Sequence, residues 1–469
     1  MIFINKTGNS IHLEDINLNI PFLGDESQSI DLVDVKKSEA FQKMAVLGAF
    51  EILTTSGSRL EKNILRMLSE HQQKPKQEVI EENMMLSGDK AEVVIKGHFY
   101  EAGGYAKVNR NLALGLAKLG VGVEIKPVSM RRNDLNEMEV RLLGNLKRPV
   151  GRSAIKIDSI IPSFTDVSPR SSYRVLYTTI EATTVPQQTV DICNQYDEIW
   201  VTSDFCKDIL SKYKIKPQIL VFPSTTNTSL YNENAKPHVF TPPLNKFVFL
   251  SVFGWSYRKG YDALLRSYIE EFSSDEDVSL LIVSRFQGAS ERSKIIQEEV
   301  RKYLERYGGQ DAPHISRCSR VINESEMPRI YRACNAFVLP SRGEGFGLPY
   351  VEASLCGLPV ISTRHGGQLM FLNDNNSHLV DIDRMEPMRR GKMHVHYWDN
   401  EIFPALDSDE FIGNLRNAMR DVYCNYSSAT SANKSLQDDL KKNYSVLSVC
   451  GRIKQRLNDI WTSVQGVKI

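Results

Sequence analysis

The chain has 469 residues, of which 41% are apolar and 25% charged, and its formal net charge is +1. These values are ordinary for a globular protein, and they exclude a disordered chain and a global basic field that would attract nucleic acid. No apolar run of about eighteen residues occurs and the first residues do not read as a signal peptide, so the sequence predicts a soluble, cytoplasmic protein. The seven scattered cysteines are expected to be reduced.

The first ninety residues predict a separate small module. Short apolar runs at 2–5, 10–13 and 16–21 are typical of strands, and 33–48 is predicted to form a helix. Residues 1–55 are therefore predicted to form a β-rich accessory module, and the polar residues 56–89 a linker. No catalytic constellation occurs in this module, so docking or oligomerisation is its expected role. It faintly resembles small β modules of bacteriophage proteins.

A strand, a glycine pair and a helix are predicted in succession over 91–119. Gly103 and Gly104 separate an alternating apolar run from apolar residues at helical spacing. This order is typical of the first turn of a Rossmann-like domain, where backbone N–H groups can approach a diphosphate. A plain tight turn is the alternative. His98, just after the strand, is either a substrate contact or a packed histidine.

Two further features of this region bear on substrate binding. Glu181 follows a predicted strand at 175–179, where it either faces a cleft or caps a helix, and Ser203 or Asp204 is the predicted N-cap of the next helix. The segment 126–174 carries ten Lys and Arg against five acids. That excess either attracts a polyanionic acceptor or forms a solvated surface.

The region after residue 246 predicts a second domain with the same alternation. The apolar run 247–253 is a predicted strand, and the helix that follows begins beside Arg258 and Lys259. Two cations at a helix N-terminus are suited to neutralising a diphosphate leaving group. Residues 446–461 carry apolar side chains at helical spacing and predict a long closing helix.

The most informative stretch is 336–367. A predicted strand at 336–339 leads into a glycine-rich loop with Glu344, Gly345 and Gly347, and then into a short helix that carries Glu352 and ends at Gly357. Both carboxylates can face one cleft. Carboxylates accept hydrogen bonds from sugar or ribose hydroxyls, whereas loop N–H groups and a helix N-terminus favour an anion. This combination predicts a nucleotide sugar as ligand, and a glycine-rich turn in an unrelated α/β domain is the alternative.

The pattern E-G-F-G-L-P-x-x-E-A-x-x-x-G-x-P-V-I-x-T, followed by Gly366-Gly367, resembles the donor-site signature of the retaining glycosyltransferase family 4 group. The resemblance implies an α/β protein of the GT-B fold, with two Rossmann-like domains and a cleft between them. Residues 90–240 would form the acceptor domain and 241–440 the nucleotide-sugar domain. Residues 441–469 would form a helix that crosses back to the acceptor domain.

The resemblance also implies roles for individual residues. Glu344 would hold the transferred sugar, Glu352 would hold the ribose hydroxyls, and Lys259 with Arg258 would stabilise the departing diphosphate. Other contacts to the sugar donor would come from backbone or apolar groups at Gly103, Gly104, Val321, Gly345, Phe346, Gly347 and Leu348. His98 and Glu181 are candidates on the acceptor side.

The sequence departs from the family pattern at one position. The family has an arginine five residues before the lysine, and here that position falls on Gly254 or, with a one-residue gap, on Trp255. Arg258 is the candidate replacement. Enzymes of this fold generally need no metal, and the acid pair Asp381 and Asp383 and the pair His394 and His396 have no evident partner set, so no metal or other cofactor is expected.

The implied activity is that of a hexosyl- or pentosyltransferase, which moves a sugar with retention from a UDP- or GDP-sugar to an acceptor hydroxyl. A glycan or surface polymer is the default acceptor, and a modified base in phage DNA is an alternative suggested by the first module and the basic segment. A noncatalytic structural or virion-associated protein with a GT-B body is an alternative of another class.

Overall fold

The computed structural model describes residues 91–101, 103–129, 135, 137–151, 154–162, 173–284, 290–318, 322–388 and 400–466, and, before residue 91, the backbone of five short strands. The chain divides into two compact units, Met1–Asp89 and Lys90–Ile469. The predicted helix 33–48 and the linker 56–89 lie outside the described residues.

The first unit contains antiparallel pairs. Strand β1 lies between β4 and β5 in a three-stranded sheet, and β2 pairs with β3. The strands are β1 (Ile2–Asn5), β2 (Ile11–Leu13), β3 (Leu18–Ile20), β4 (Gln28–Ser29) and β5 (Phe50–Leu53).

The second unit begins with a six-stranded parallel sheet in the order β11-β10-β9-β8-β6-β7. A helix lies in each connection between successive strands except the one from β8 to β9, of which residues 163–172 lie outside the described residues. We call this part the first half. Its elements are β6 (Glu92–Gly97), α1 (Gly104–Lys118), β7 (Gly122–Pro127), α2 (Glu137–Asn145), β8 (Ile155–Ser159), β9 (Arg174–Thr178), α3 (Gln187–Cys193), β10 (Glu198–Val201), α4 (Asp204–Ser211) and β11 (Gln218–Val221).

A second six-stranded parallel sheet follows, in the order β14-β13-β12-β15-β16-β17. Its central strand has the sequence FVFLSVF and is buried at every position, which explains why it reads as a continuous apolar run. We call this sheet, its connecting helices and the two helices that follow it the second half. Its elements are β12 (Phe247–Phe253), α5 (Tyr261–Glu271), β13 (Val278–Ser284), α6 (Ser290–Tyr303), β14 (His314–Cys318), α7 (Met327–Arg332), β15 (Ala336–Leu339), α8 (Leu348–Leu355), β16 (Val360–Thr363), β17 (His378–Val380), β18 (Met385–Pro387), β19 (Ile402–Pro404), α9 (Asp409–Cys424) and α10 (Tyr426–Asn443).

Two parallel sheets with helical connections are two Rossmann-like domains, so the predicted fold class is confirmed. Each half has its own buried apolar cluster, centred on its sheet.

The last helix, α11 (Val446–Gly466), packs on the first half although it follows the second. Val449, Ile453 and Leu457 are buried in the same apolar cluster as Leu112 of α1. The two helices approach closely: a Cβ added at Gly115 of α1 would meet Cys450 Sγ at 2.6 Å. The helix predicted from the spacing at 446–461 is therefore part of the core of the first half.

No helix in the described part of the chain combines the length and apolar character needed to cross a membrane.

We expect Leu457→Ala to lower the free energy of unfolding by about 2–5 kcal/mol, because it removes a fully buried side chain from the apolar cluster that α11 shares with the first half. Asn458→Ala, at the neighbouring exposed position, should change it by no more than about 0.5 kcal/mol. Denaturant unfolding of both variants measures the difference. Equal stabilities would contradict the docking of α11.

We also expect a protein that begins at Lys90 to fold without the preceding unit, because Lys90–Ile469 is compact by itself. Its cooperative thermal transition should lie within a few degrees of the transition of this unit in the full chain. Loss of the transition would move the unit boundary toward the N-terminus.

Candidate functional site

A cavity of about 550 Å³ lies between the two halves, within the usual size range of small-ligand sites. Strand ends reach it from both sheets: Ser159 and Thr178 from the first half, and Phe253 from the second. These are carboxyl ends of parallel strands, the edge at which open α/β sheets bind ligands.

The glycine-rich loop forms one wall of the cavity. It connects β15 to α8, and Gly347, at φ 95°, turns the chain into the helix. That φ lies in the left-handed region, which favours glycine. Glu344 in the loop and Glu352 in α8 both line the cavity, as do Gly345, Phe346 and Leu348. The two acids therefore face one cleft, as predicted.

Glu344 forms a buried ion pair with Lys259 within the second half. Burial alone would raise the pKa of Glu344, but Lys259 and Arg258 outweigh it and hold the pKa below its ordinary value. Lys259 is the last residue of a short 3-10 turn, Tyr257–Lys259. Gly260, at φ 68°, connects this turn to α5. The carboxylate and its cation thus come from the turns that follow two neighbouring strands, β15 and β12.

Arg342 joins these two turns. Its guanidinium donates to both carboxylate oxygens of Asp262 at 2.7 Å and to the carbonyl of Tyr257 at 2.7 Å, and it lies over the Tyr257 ring. Its backbone N–H donates to the carbonyl of Arg258 at 2.7 Å. Arg342 is fully buried, and sequence reasoning missed it. The sequence feature that could have indicated Arg342 is its position two residues before Glu344.

Arg258 contacts both halves of the cleft. Its guanidinium pairs with Glu181 of the first half at 3.0 Å and donates to the carbonyl of Gly343. Glu181 lines the cavity, so its cleft-facing interpretation agrees with the structure.

Glu352 also has a partner in the first half. Lys107 of α1 lies 2.5 Å from Glu352 Oε1, and the hydroxyl of Tyr331 donates to Oε2 at 3.1 Å. Sequence reasoning missed Lys107. It stands one turn into the helix after Gly103 and Gly104, and that placement could have indicated it.

The glycine loop touches the first half directly. Ser203 Oγ donates to the carbonyl of Gly345 at 2.6 Å, and Thr202 Oγ1 donates to the same carbonyl at 3.1 Å. Ser203 also caps α4, where it accepts from the Cys206 N–H, so it and not Asp204 is the N-cap. A Cβ at Gly345 would overlap Thr179 Oγ1, which explains why glycine is needed at this contact.

The cavity is lined by equal numbers of positive and negative side chains and by the N-terminal ends of two helices. The charged residues that line it are Lys107, Arg258, Lys259, Glu181, Glu344 and Glu352, and each cation is paired with one of the acids. Helix α1 begins there at Gly103 and Gly104, without a side-chain cap, as does α8. The N–H groups at these helix starts can donate hydrogen bonds to an anion.

Some predicted candidates lie elsewhere. His98 does not line the cavity; its Nδ1 is 3.2 Å from Glu101 Oε1. Asp381 pairs with Arg364, and no group of three or more residues suited to a metal occurs among the described residues. Val321, His394 and His396 lie outside the described residues.

Residues 245–388 match the family model Glycosyl transferases group 1. This group 1 segment lies within the second half and contains Arg258, Lys259, Glu344 and Glu352. Over these residues the chain is therefore similar to glycosyltransferases of this group, and the resemblance inferred from the glycine-rich loop is supported.

Curated relatives match over a similar length. The chain is 29% identical to D-inositol 3-phosphate glycosyltransferase of Segniliparus rotundus over 152 residues, which are 32% of this chain and 30% of the relative. It is 25% identical to mannosylfructose-phosphate synthase of Agrobacterium fabrum over 145 residues, 29% of this chain and 31% of the relative. Each alignment thus spans less than a third of the relative's length.

Solved structures share the fold over 79–80% of the chain. HepE of Anabaena, solved in complex with UDP and glucose, covers 79% of this chain and aligns over 100% of its own length, with a TM-score of 0.54 and 13% identity. Sucrose-phosphate synthase from Thermosynechococcus elongatus covers 80% of this chain and aligns over 100% of its own, with a TM-score of 0.56 and 15% identity. Both similarities concern the GT-B fold.

We expect Gly345→Ala to lower the free energy of unfolding by about 1–3 kcal/mol, because the added methyl group must displace Thr179 where the halves meet. Gly413→Ala is the matched control. It adds a methyl group in α9 with no atom within 4 Å and should be neutral or stabilising. If denaturant unfolding finds Gly345→Ala as stable as the parent protein, the loop does not contact the first half in solution.

Proposed function

We propose that the protein is a retaining glycosyltransferase that moves a sugar from a nucleotide diphosphate to an acceptor hydroxyl. The observation that carries the proposal is the buried Lys259–Glu344 pair, which lies in the group 1 segment at a cavity between two Rossmann-like halves. A cation beside a carboxylate suits a substrate with an anionic leaving group and a hydroxyl-rich sugar.

The sugar donor is a UDP- or GDP-sugar. Three features support a diphosphate: the uncapped start of α1 at Gly103 and Gly104, the start of α8, and the two cations Arg258 and Lys259. Glu344 binds hydroxyls of the transferred sugar and Glu352 those of the ribose. The complex of HepE with UDP and glucose supports uridine as the first base to test.

The ion pairs in the cavity imply that binding of a nucleotide sugar replaces some of their contacts. A diphosphate brings negative charge to cations that already hold carboxylates, so it must compete with Glu181 for Arg258 and with Glu344 for Lys259. Each carboxylate released in this way becomes free to accept hydrogen bonds from sugar hydroxyls. Charge exchange therefore couples recognition of the phosphate to recognition of the sugar.

The chemical step we propose is a front-face displacement. The bond from the sugar C1 to the diphosphate oxygen breaks, and the acceptor oxygen bonds to C1 on the same face, which retains the configuration. The acceptor proton passes to the leaving phosphate oxygen. Lys259 and Arg258 stabilise the charge that develops on the diphosphate, and the meeting of the two halves excludes water.

The acceptor binds in the first half, which the group 1 match does not include. A glycan or surface polymer hydroxyl is the acceptor we propose first. A modified DNA base and a noncatalytic structural role remain the alternative predictions.

The first test is release of nucleoside diphosphate from a panel of UDP-, GDP- and ADP-sugars. We expect release with one sugar donor, and loss of release in Glu344→Gln, which keeps the side-chain size but removes the charge paired with Lys259. Failure of every sugar donor to bind or react would favour the noncatalytic alternative.

Lys259→Ala should lower the rate of the chemical step on the order of a hundredfold, since it removes a cation from the leaving group. The control is Lys246→Ala, whose side chain is 91% exposed and pairs with Asp277 on the surface. Single-turnover kinetics at saturating sugar donor separates the chemical step from binding. An unchanged rate in Lys259→Ala would remove this residue from the mechanism.

A further inference from the structure

We infer that Lys107 is a positioning and specificity residue that reaches across the cleft from the first half and completes the ribose-binding carboxylate, Glu352. The inference rests on the proposed function, in which Glu352 binds the ribose hydroxyls. It adds that the ribose contact is not built by the second half alone.

The Lys107 ammonium is held by three acceptors. Its Nζ lies 2.5 Å from Glu352 Oε1, 3.3 Å from Glu324 Oε1 and 3.0 Å from the hydroxyl oxygen of Tyr231. An ammonium has three N–H donors, so this set satisfies all of them. Lys107 is only 7% exposed, and its position is therefore fixed by these contacts rather than by solvent.

Glu352 keeps acceptor capacity on the cavity side. Lys107 donates to one of its oxygens and Tyr331 to the other, whereas a carboxylate offers about four acceptor positions. Glu352 lines the cavity, so the remaining positions can accept from a ligand there. A vicinal diol presents two O–H donors at neighbouring carbons, and the two oxygens of one oriented carboxylate suit that pair.

The contact between Lys107 and Glu352 joins the two halves. Glu352 is 3% exposed, so the groups that touch its carboxylate set its orientation. Lys107 from the first half holds one oxygen, and Tyr331 from the second half holds the other. Lys107 therefore orients Glu352 only while the two halves are in contact.

Arg110 provides a matched control from the same helix. It also crosses from the first half to the second, where its Nη2 lies 2.7 Å from Glu324 Oε2. Its other hydrogen bonds go to the carbonyls of Phe99 and Glu101. Arg110 thus contributes the same kind of ion pair between the halves without contacting Glu352.

The test compares binding of UDP and 2′,3′-dideoxy-UDP to the full-length protein by calorimetry, with the GDP pair if the panel identifies guanosine. The parent protein should prefer the ribonucleotide by roughly tenfold or more, the effect of hydrogen bonds to a charged group. Lys107→Met should lose most of this preference and bind the dideoxynucleotide nearly as well as the parent does. Arg110→Met should keep the preference.

Other results would overturn the inference. Equal weakening of both nucleotides by Lys107→Met would mean that Lys107 contacts the diphosphate, and tighter binding of both would mean that it competes with the nucleotide. If Lys107→Met does not fold, Lys107→Gln is used, since its amide can still contact Glu324 and Tyr231. An unchanged preference for the ribonucleotide in Lys107→Gln would also overturn the inference. Lys107→Arg should restore that preference.

Two results separate this inference from the proposed function. If Glu352→Gln keeps the ribose preference while nucleoside diphosphate release continues, the proposed glycosyltransferase activity is supported and the role inferred for Lys107 is wrong. If no nucleotide binds and no sugar donor reacts, the proposed function fails and the inference fails with it.

Discussion

The site depends on a balance of buried charge at the boundary between two domains. Lys107 pairs with Glu352 and Arg258 with Glu181, each across the cleft, and Lys259 pairs with Glu344 beside them. The side chains in these pairs are at most 21% exposed, so removing one member leaves a poorly solvated charge without its partner. A ligand that displaces one of these contacts must therefore supply a replacement partner of the correct sign.

Hydrogen bonds to the backbone also join the two halves. The Gly345 carbonyl accepts hydrogen bonds from Ser203 and Thr202, so the glycine-rich loop is held to the first half by its main chain. Side-chain pairs can exchange partners while such backbone contacts persist. The contact between the halves and the recognition of a ligand thus rest on different groups in neighbouring positions.

Local sequence patterns predicted the strands and the glycine-rich loop well. The run 247–253 coincides with β12 because every residue of that strand is buried, and Gly347 and Gly357 mark the ends of α8 because both adopt positive φ. The partners across the cleft could not be predicted in this way. Lys107 and Glu352 are 245 positions apart, so their contact depends on how two complete domains meet. The same reason explains why the contact between Arg258 and Glu181 was not predicted.

The docking of α11 on the first half has a consequence for biosynthesis. The ribosome completes β6 to β11 long before it reaches Val449, Ile453 and Leu457, which fill the core beside α1. Until those residues emerge, the apolar side chains of α1 beside Gly115 lack the contacts that α11 provides in the folded protein. Folding of the first half is therefore completed by α11, and truncation within that helix damages the domain synthesised first.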